Sequence, residues 1–281
     1  MTSTSGSDRQ VLALSHAGTT AFGTTTAVAL ALEAARAGEE VLLIDLSPDG
    51  EATRWLQAEP WEEGQDVGAI LDDDYPLGWA RSLAVPTTDH ERLRLVPASS
   101  GPAREPRAGA GPQLHHALTT ADDYVLVVID CGRIRSGARL VTALNAASDV
   151  VVTTTRSPKD LAEVSNIVAS VEAYRRLIHD EGGNRSDLVR LRGVVVGAPA
   201  GGPAENASST EEPELAEVPT DKAWSPLVLS PHVPVVPAEH GEPATRKRPF
   251  EIWTPGSTLS QHYGQLAAQL VDAMSDASTD D

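Results

Sequence analysis

The chain has 281 residues, 41% of them hydrophobic, and carries a formal net charge of −18. That length holds one large domain with its own core, and no apolar run reaches the length of a membrane span. The charge disfavours DNA as a default partner, since nonspecific binding rests on cations that neutralise phosphates, and a single cysteine, Cys131, excludes an internal disulfide framework.

Residues 1–10 are polar and lack a charged segment followed by an apolar one, so they predict a flexible N-terminus and no signal peptide, as in a cytoplasmic protein. Val11–Ser15 (VLALS) is a short apolar run of the kind that forms a buried strand. A turn-rich stretch follows, and then Thr26–Gly38 carries alanine and leucine at helical spacing and ends on a glycine suited to a C-cap. Val41–Asp45 (VLLID) is again continuously apolar. Apolar strands on both sides of a helix predict a βαβ unit in a parallel sheet.

Further strands are predicted over Leu93–Pro97, Tyr124–Asp130, Asp149–Thr155, Leu191–Gly197 and Pro226–Ser230. Helices are predicted over Gln113–Thr120, Arg139–Ala147, Pro158–His179 and Thr258–Met274; Ser157 and Pro158 make an N-cap and N1 pair for the third of these. The alternation predicts a doubly wound, mostly parallel α/β sheet between two helical layers. One domain is expected over residues 11–274, with mobile loops near 98–112 and 198–221 and an acidic tail at 275–281.

The stretch Gly18-Thr19-Thr20-Ala21-Phe22-Gly23-Thr24-Thr25 lies between the first strand and the first helix. A glycine-rich loop in that place can hold phosphate through backbone N–H groups and the helix dipole. The spacing matches G-x-x-x-x-G-K-[ST] except that Thr24 stands at the lysine. Asp45 and Asp130 each end an apolar strand, and each also reads as an ordinary strand-end turn residue.

Residues 11–56 as a whole resemble the first βαβ unit of the ParA/MinD family of P-loop (SIMIBI-type) ATPases, with its K-G-G-x-G-K-T-[ST] loop and its following D-x-D-P-Q-G-N-A-T. Residues 143–168 and 226–249 resemble later parts of the same family. An ungapped alignment puts Gly18 at the family's signature lysine, Gly23 at its Walker lysine, and Thr24 and Thr25 at its hydroxyl pair. A one-residue slip puts Thr24 at the Walker lysine instead. In either register the loop has no lysine, because the first lysine of the chain is Lys159. The resemblance further implies that Thr24, Asp45 and Asp130 would hold magnesium if a nucleotide binds. Ser47 replaces the aspartate that helps set up the attacking water, and serine is a poor general base. Asp130 then reads as a Walker B remnant. Gly197 replaces an asparagine that reads the base at the end of its strand.

Other residues give less. His115 and His116 are adjacent and point to different faces of a helix, which makes a poor metal pair. Cys131 is expected to be buried, and Trp55, Trp61 and Trp79 to be core or interface anchors. Asp72, Asp73 and Asp74 read as a solvated loop. Arg246, Lys247 and Arg248 read as a solvated loop or as a nucleic-acid patch on an otherwise acidic surface.

Three functions follow. The first is a degenerate ParA/MinD-like protein with lost or much reduced ATP hydrolysis, which needs either no cofactor or ATP with magnesium. It would act through protein partners, or as a homodimer, in partitioning, spatial organisation or a secretion or pilus assembly. The second is an active partition ATPase whose cation comes from Arg133, Arg135 or a partner's arginine. The third is a DNA-associated regulator that uses residues 246–248.

Overall fold

The computed structural model describes residues 9–18, 22–62, 64–71, 80–99, 110–119, 123–132, 138–180, 189–199, 217–235 and 255–277. The elements in chain order are β1 (Gln10–Ala17), α1 (Phe22–Arg36), β2 (Val41–Asp45), α2 (Glu51–Trp55), α3 (Val67–Leu71), α4 (Ala80–Leu83), β3 (Val85–Pro86) and β4 (Leu93–Val96). Then come α5 (Ala110–Thr119), β5 (Leu126–Asp130), α6 (Ala138–Ala146), β6 (Asp149–Thr155), α7 (Pro158–Asp180), β7 (Arg190–Pro199), a 3₁₀ turn (Ser225–Leu227), β8 (Val233–Val235) and α8 (Thr258–Ala277).

The strands form one sheet in the order β3-β4-β2-β5-β1-β6-β7-β8. Every pairing is parallel except that of the short edge strand β3 with β4. Central strands of such a sheet are covered on both faces, which is why each carries an unbroken apolar run of three residues or more. Along β1 the faces alternate. Val11 and Ala13 join a core with residues of α3, α5, α6 and α7, whereas Leu12 and Leu14 join a core with α1, α2 and α8. The molecule is the predicted three-layer α/β/α sandwich.

Several boundaries depart from expectation. The first helix starts at Phe22 rather than Thr26, so Gly23, Thr24 and Thr25 form its first turn. The strand expected over Pro226–Ser230 is a 3₁₀ turn with Pro226 near its start, followed by a lone bridge from Val228 to Val194. Proline cannot donate to a ladder, and the pairing strand is instead Val233–Val235, alongside Gly197–Pro199. For the same reason Gly197 does not end its strand, which runs on to Pro199. Gln10, expected in the N-terminal arm, begins β1 and donates through its side chain to the carbonyl of Val271.

Candidate nucleotide site

In an open α/β sheet, ligands sit beyond the carboxyl ends of the strands. Here β2, β5, β1 and β6 lie side by side, and their ends carry Asp45, Asp130, Gly18 and Thr155. Asp45 and Asp130 are direct partners in the β2–β5 register, so two carboxyls stand on adjacent strands with the start of α1 beyond them. Thr24 is buried in the first turn of that helix, and its hydroxyl is close enough to favour the ionised form of Asp130.

The two carboxyls differ in how they are held. Asp45 accepts the N–H of Ser47 on Oδ1 (3.1 Å), and on Oδ2 both the N–H (2.8 Å) and the hydroxyl (2.7 Å) of Thr53. It ties the strand end to α2. Asp130 accepts the N–H of Gly132 on Oδ1 (2.9 Å), while Oδ2 is buried and accepts no hydrogen bond among the described residues. Burial pushes Asp45 up to about 6. Burial, with the Asp45 charge as a second cause, pushes Asp130 up to about 7. Ser47 closes the turn: its Oγ accepts the N–H of Asp49 and packs against Gly132, where an added Cβ would lie 2.7 Å from that oxygen. Gly132 also has φ +62°, a second reason for glycine there.

Both glycines at the ends of the loop are pressed against side chains. At Gly18 (φ +145°) a Cβ would lie 2.7 Å from the carboxylate of Asp160, which is buried in the first turn of α7 and accepts the Thr155 hydroxyl at 2.6 Å. At Gly23 a Cβ would lie 2.6 Å from Cβ of His16 and 3.3 Å from Oγ1 of Thr153.

No family model matches the chain. It is 34% identical over 173 residues to the chromosome-partitioning ATPase Soj of Thermus thermophilus, covering 62% of this chain and 63% of that protein. The chain resembles the ParA/MinD proteins and has the P-loop fold. It spans less than two thirds of the length of the curated relatives it matches. Among solved structures, cobyrinic acid a,c-diamide synthase from Mycobacterium smegmatis, with bound ATP analogue and magnesium, superposes with a TM-score of 0.65 at 22% identity. That match covers 95% of this chain and 96% of the other. A ParA family ATPase from Chlorobium tepidum superposes with a TM-score of 0.61 at 14% identity, over 92% and 98% of the two chains.

Within this ParA/MinD-like frame the sequence-derived residues Gly18, Gly23, Thr24, Asp45, Ser47 and Asp130 come together at one edge of the sheet, and Thr25 follows, half-buried, along α1. Thr19 and Thr20 lie outside the described residues, as do Arg133, Arg135, residues 72–74, Trp79 and residues 246–248. A divalent cation fits the donor set: Asp130 Oδ2 is a buried carboxyl oxygen with no hydrogen bond among the described residues, and the Thr24 hydroxyl is a neighbour of that carboxyl. Asp45 would stand behind them, with both oxygens already engaged. A triphosphate fits less well, since the loop offers backbone donors but no fixed cation.

Four residues at this edge escaped the sequence reading. Thr53 clamps Asp45, and its Oγ1 also accepts the N–H of Ala98 (2.8 Å). Arg139, buried at the start of α6, donates to the carbonyl of Leu46 at 2.7 Å, beside the Asp45–Ser47 turn. A charged residue among Leu140, Ala143 and Leu144 on a short amphipathic helix was the available signal. Asp160 and His16 gave none, because Asp160 meets Gly18 and His16 meets Thr153 only through the tertiary fold. Cys131 is fully buried, and burial pushes its thiol well above the ordinary range, so it is inert as a nucleophile. Trp55 is buried as expected, whereas Trp61 is exposed. Among the described residues no group of three or more His, Cys, Asp or Glu side chains is placed to hold a metal, and no helix is long and apolar enough to cross a membrane.

Proposed function

We propose that this chain is a ParA/MinD-like protein of partition type in which ATP hydrolysis is lost or much reduced, and that it works by binding other proteins. The observation that carries this reading is the charge at the loop. Three buried carboxyls lie at this edge, Asp160 against Gly18, Asp130 beside Thr24 and Asp45 in register with Asp130, and the loop sequence contains no lysine. Phosphoryl transfer depends on fixed cations against the β- and γ-phosphates. Magnesium on Thr24 and Asp130 would supply part of that charge and leave the terminal phosphate without a protein cation from the loop. Ser47, held in its turn by Asp49 and Gly132, supplies no base.

A homodimer through the loop face, or a separate protein partner in the cytoplasm, fits the same reading, and the acidic surface disfavours DNA. The second reading is an active ATPase, and Arg139 favours it: a buried cation already stands beside the Asp45–Ser47 turn. Calorimetry of the full chain with ATP and magnesium separates the two. The proposed reading expects binding no tighter than the millimolar range, or none. Binding at micromolar or better that is lost in Arg139→Met would support the ATPase.

A further inference from the structure

The first helical turn of a phosphate loop normally sends a side chain back toward the bound phosphates. At Gly23 that direction is filled. A Cβ built there meets Cβ of His16 at 2.6 Å, Cγ of His16 at 2.9 Å and Oγ1 of Thr153 at 3.3 Å. These are not the free ends of flexible side chains. His16 is buried near the end of β1, and its N–H donates to the carbonyl of Gly132. Its Nδ1 is 2.8 Å from Oγ1 of Thr153 on β6, and its ring meets that of Phe22 edge-on, with centroids 6.2 Å apart. Thr153 is itself fully buried. The two side chains therefore hold each other in the space that a residue at position 23 would need, between two paired strands of the central sheet.

We propose that His16 is a positioning residue that locks the loop in its lysine-free form: with His16 held by Thr153, position 23 accepts only glycine, and a lysine, which the ungapped alignment puts at that position, cannot stand there without a change at position 16. The lock is steric. It rests on the proposed loss of hydrolysis only for its consequence with nucleotide, since the packing conflict exists whether or not ATP binds.

A double-mutant cycle in the full chain tests it. Gly23→Ala should lower Tm by about 2–10 °C, the range expected when an extra carbon is forced into a packed interior. His16→Gly, which removes the Cβ in the way, should carry its own loss, because glycine weakens a strand. In the His16→Gly background, Gly23→Ala should then cost little or nothing. Gly264→Ala, where the nearest atom to the new carbon is 3.7 Å away, is the control that should not lose stability. If Gly23→Ala is as stable as the parent, or loses the same amount in both backgrounds, the lock does not exist. Should His16→Gly fail to fold, the His16 ring resonances in Gly23→Ala decide: a shift relative to the parent supports displacement of the ring, and unchanged resonances overturn it. The nucleotide consequence is read by calorimetry with ATP and magnesium, which should bind at least tenfold more tightly to the His16→Gly/Gly23→Lys protein than to Gly23→Lys alone. Equal affinities in the two, undetectable binding included, overturn that consequence. The stability cycle uses no nucleotide, so its failure would leave the reading of the parent protein's own ATP chemistry untouched.

Discussion

At the residue scale, the feature that most constrains the site is a pair of carboxyls on neighbouring strand ends with no cation from the loop between them. Asp45 and Asp130 hold their protons more tightly in the folded chain than the ordinary value of 3.8 allows, to about 6 and about 7. The folded state therefore binds more protons than the unfolded state between those values. The resulting stability is fully present below pH 3.8 and is lost as pH rises through 6 and 7. In EDTA, Tm should fall between pH 5 and pH 8, and the contribution of Asp130 should be of order 3 kcal/mol. Asp130→Asn should flatten that fall, with its gain confined to the alkaline side. Magnesium should raise Tm of the parent above pH 7 and leave Asp130→Asn unmoved. Parallel pH profiles for parent and variant, followed by circular dichroism, would remove the physical basis of the site described above. Thr53 makes a second prediction at this scale. Its hydroxyl donates to Asp45 and accepts from Ala98, so Thr53→Val should cost about 2 kcal/mol in urea unfolding, with the slope unchanged. A loss under 0.5 kcal/mol would mean that the clamp is incidental.

At the scale of elements, the sequence was most informative where a strand is covered on both sides. Val41–Asp45 and the end of Tyr124–Asp130 are apolar up to their final aspartates, and Asp149–Thr155 is apolar at Val150–Val152, because helices cover both faces of the sheet, and these strands were legible. Two places were not. The start of α1 was hidden because Gly23, Thr24 and Thr25 are turn-forming residues by local propensity, and only their position against β1 and β6 makes them helical. The apolar run Pro226–Ser230 predicts the final strand, yet it forms at Val233–Val235, which contains a proline. That segment is an edge, where proline is tolerated. The helix packed over α1, α8, was legible from its spacing, but its docking was not. The Tyr263 hydroxyl bonds Thr26 at 3.1 Å, and Ser260 donates to Glu33, pairs separated by more than two hundred residues.

At the scale of the whole molecule, the sheet order places β1 at the centre with β5 and β6 on either side, and so brings the loop, Asp130 and Thr153 to one edge. The loop glycines and the two strand-end aspartates could be found from spacing and apolar runs. What surrounds them could not: His16, Asp160 and Arg139 reach the site from β1, α7 and α6 through the tertiary fold. Asp160 and His16 put a carboxylate and a packed imidazole against the loop glycines, and Arg139 puts a guanidinium beside the Asp45–Ser47 turn. The central claim is that this ParA/MinD-like chain does not turn over ATP by itself, and the most direct measurement is phosphate release from the purified full chain with saturating ATP and magnesium, beside Asp130→Ala. Release equal to that of the variant and of buffer is the predicted result. Magnesium-dependent release that falls to background in Asp130→Ala would contradict it.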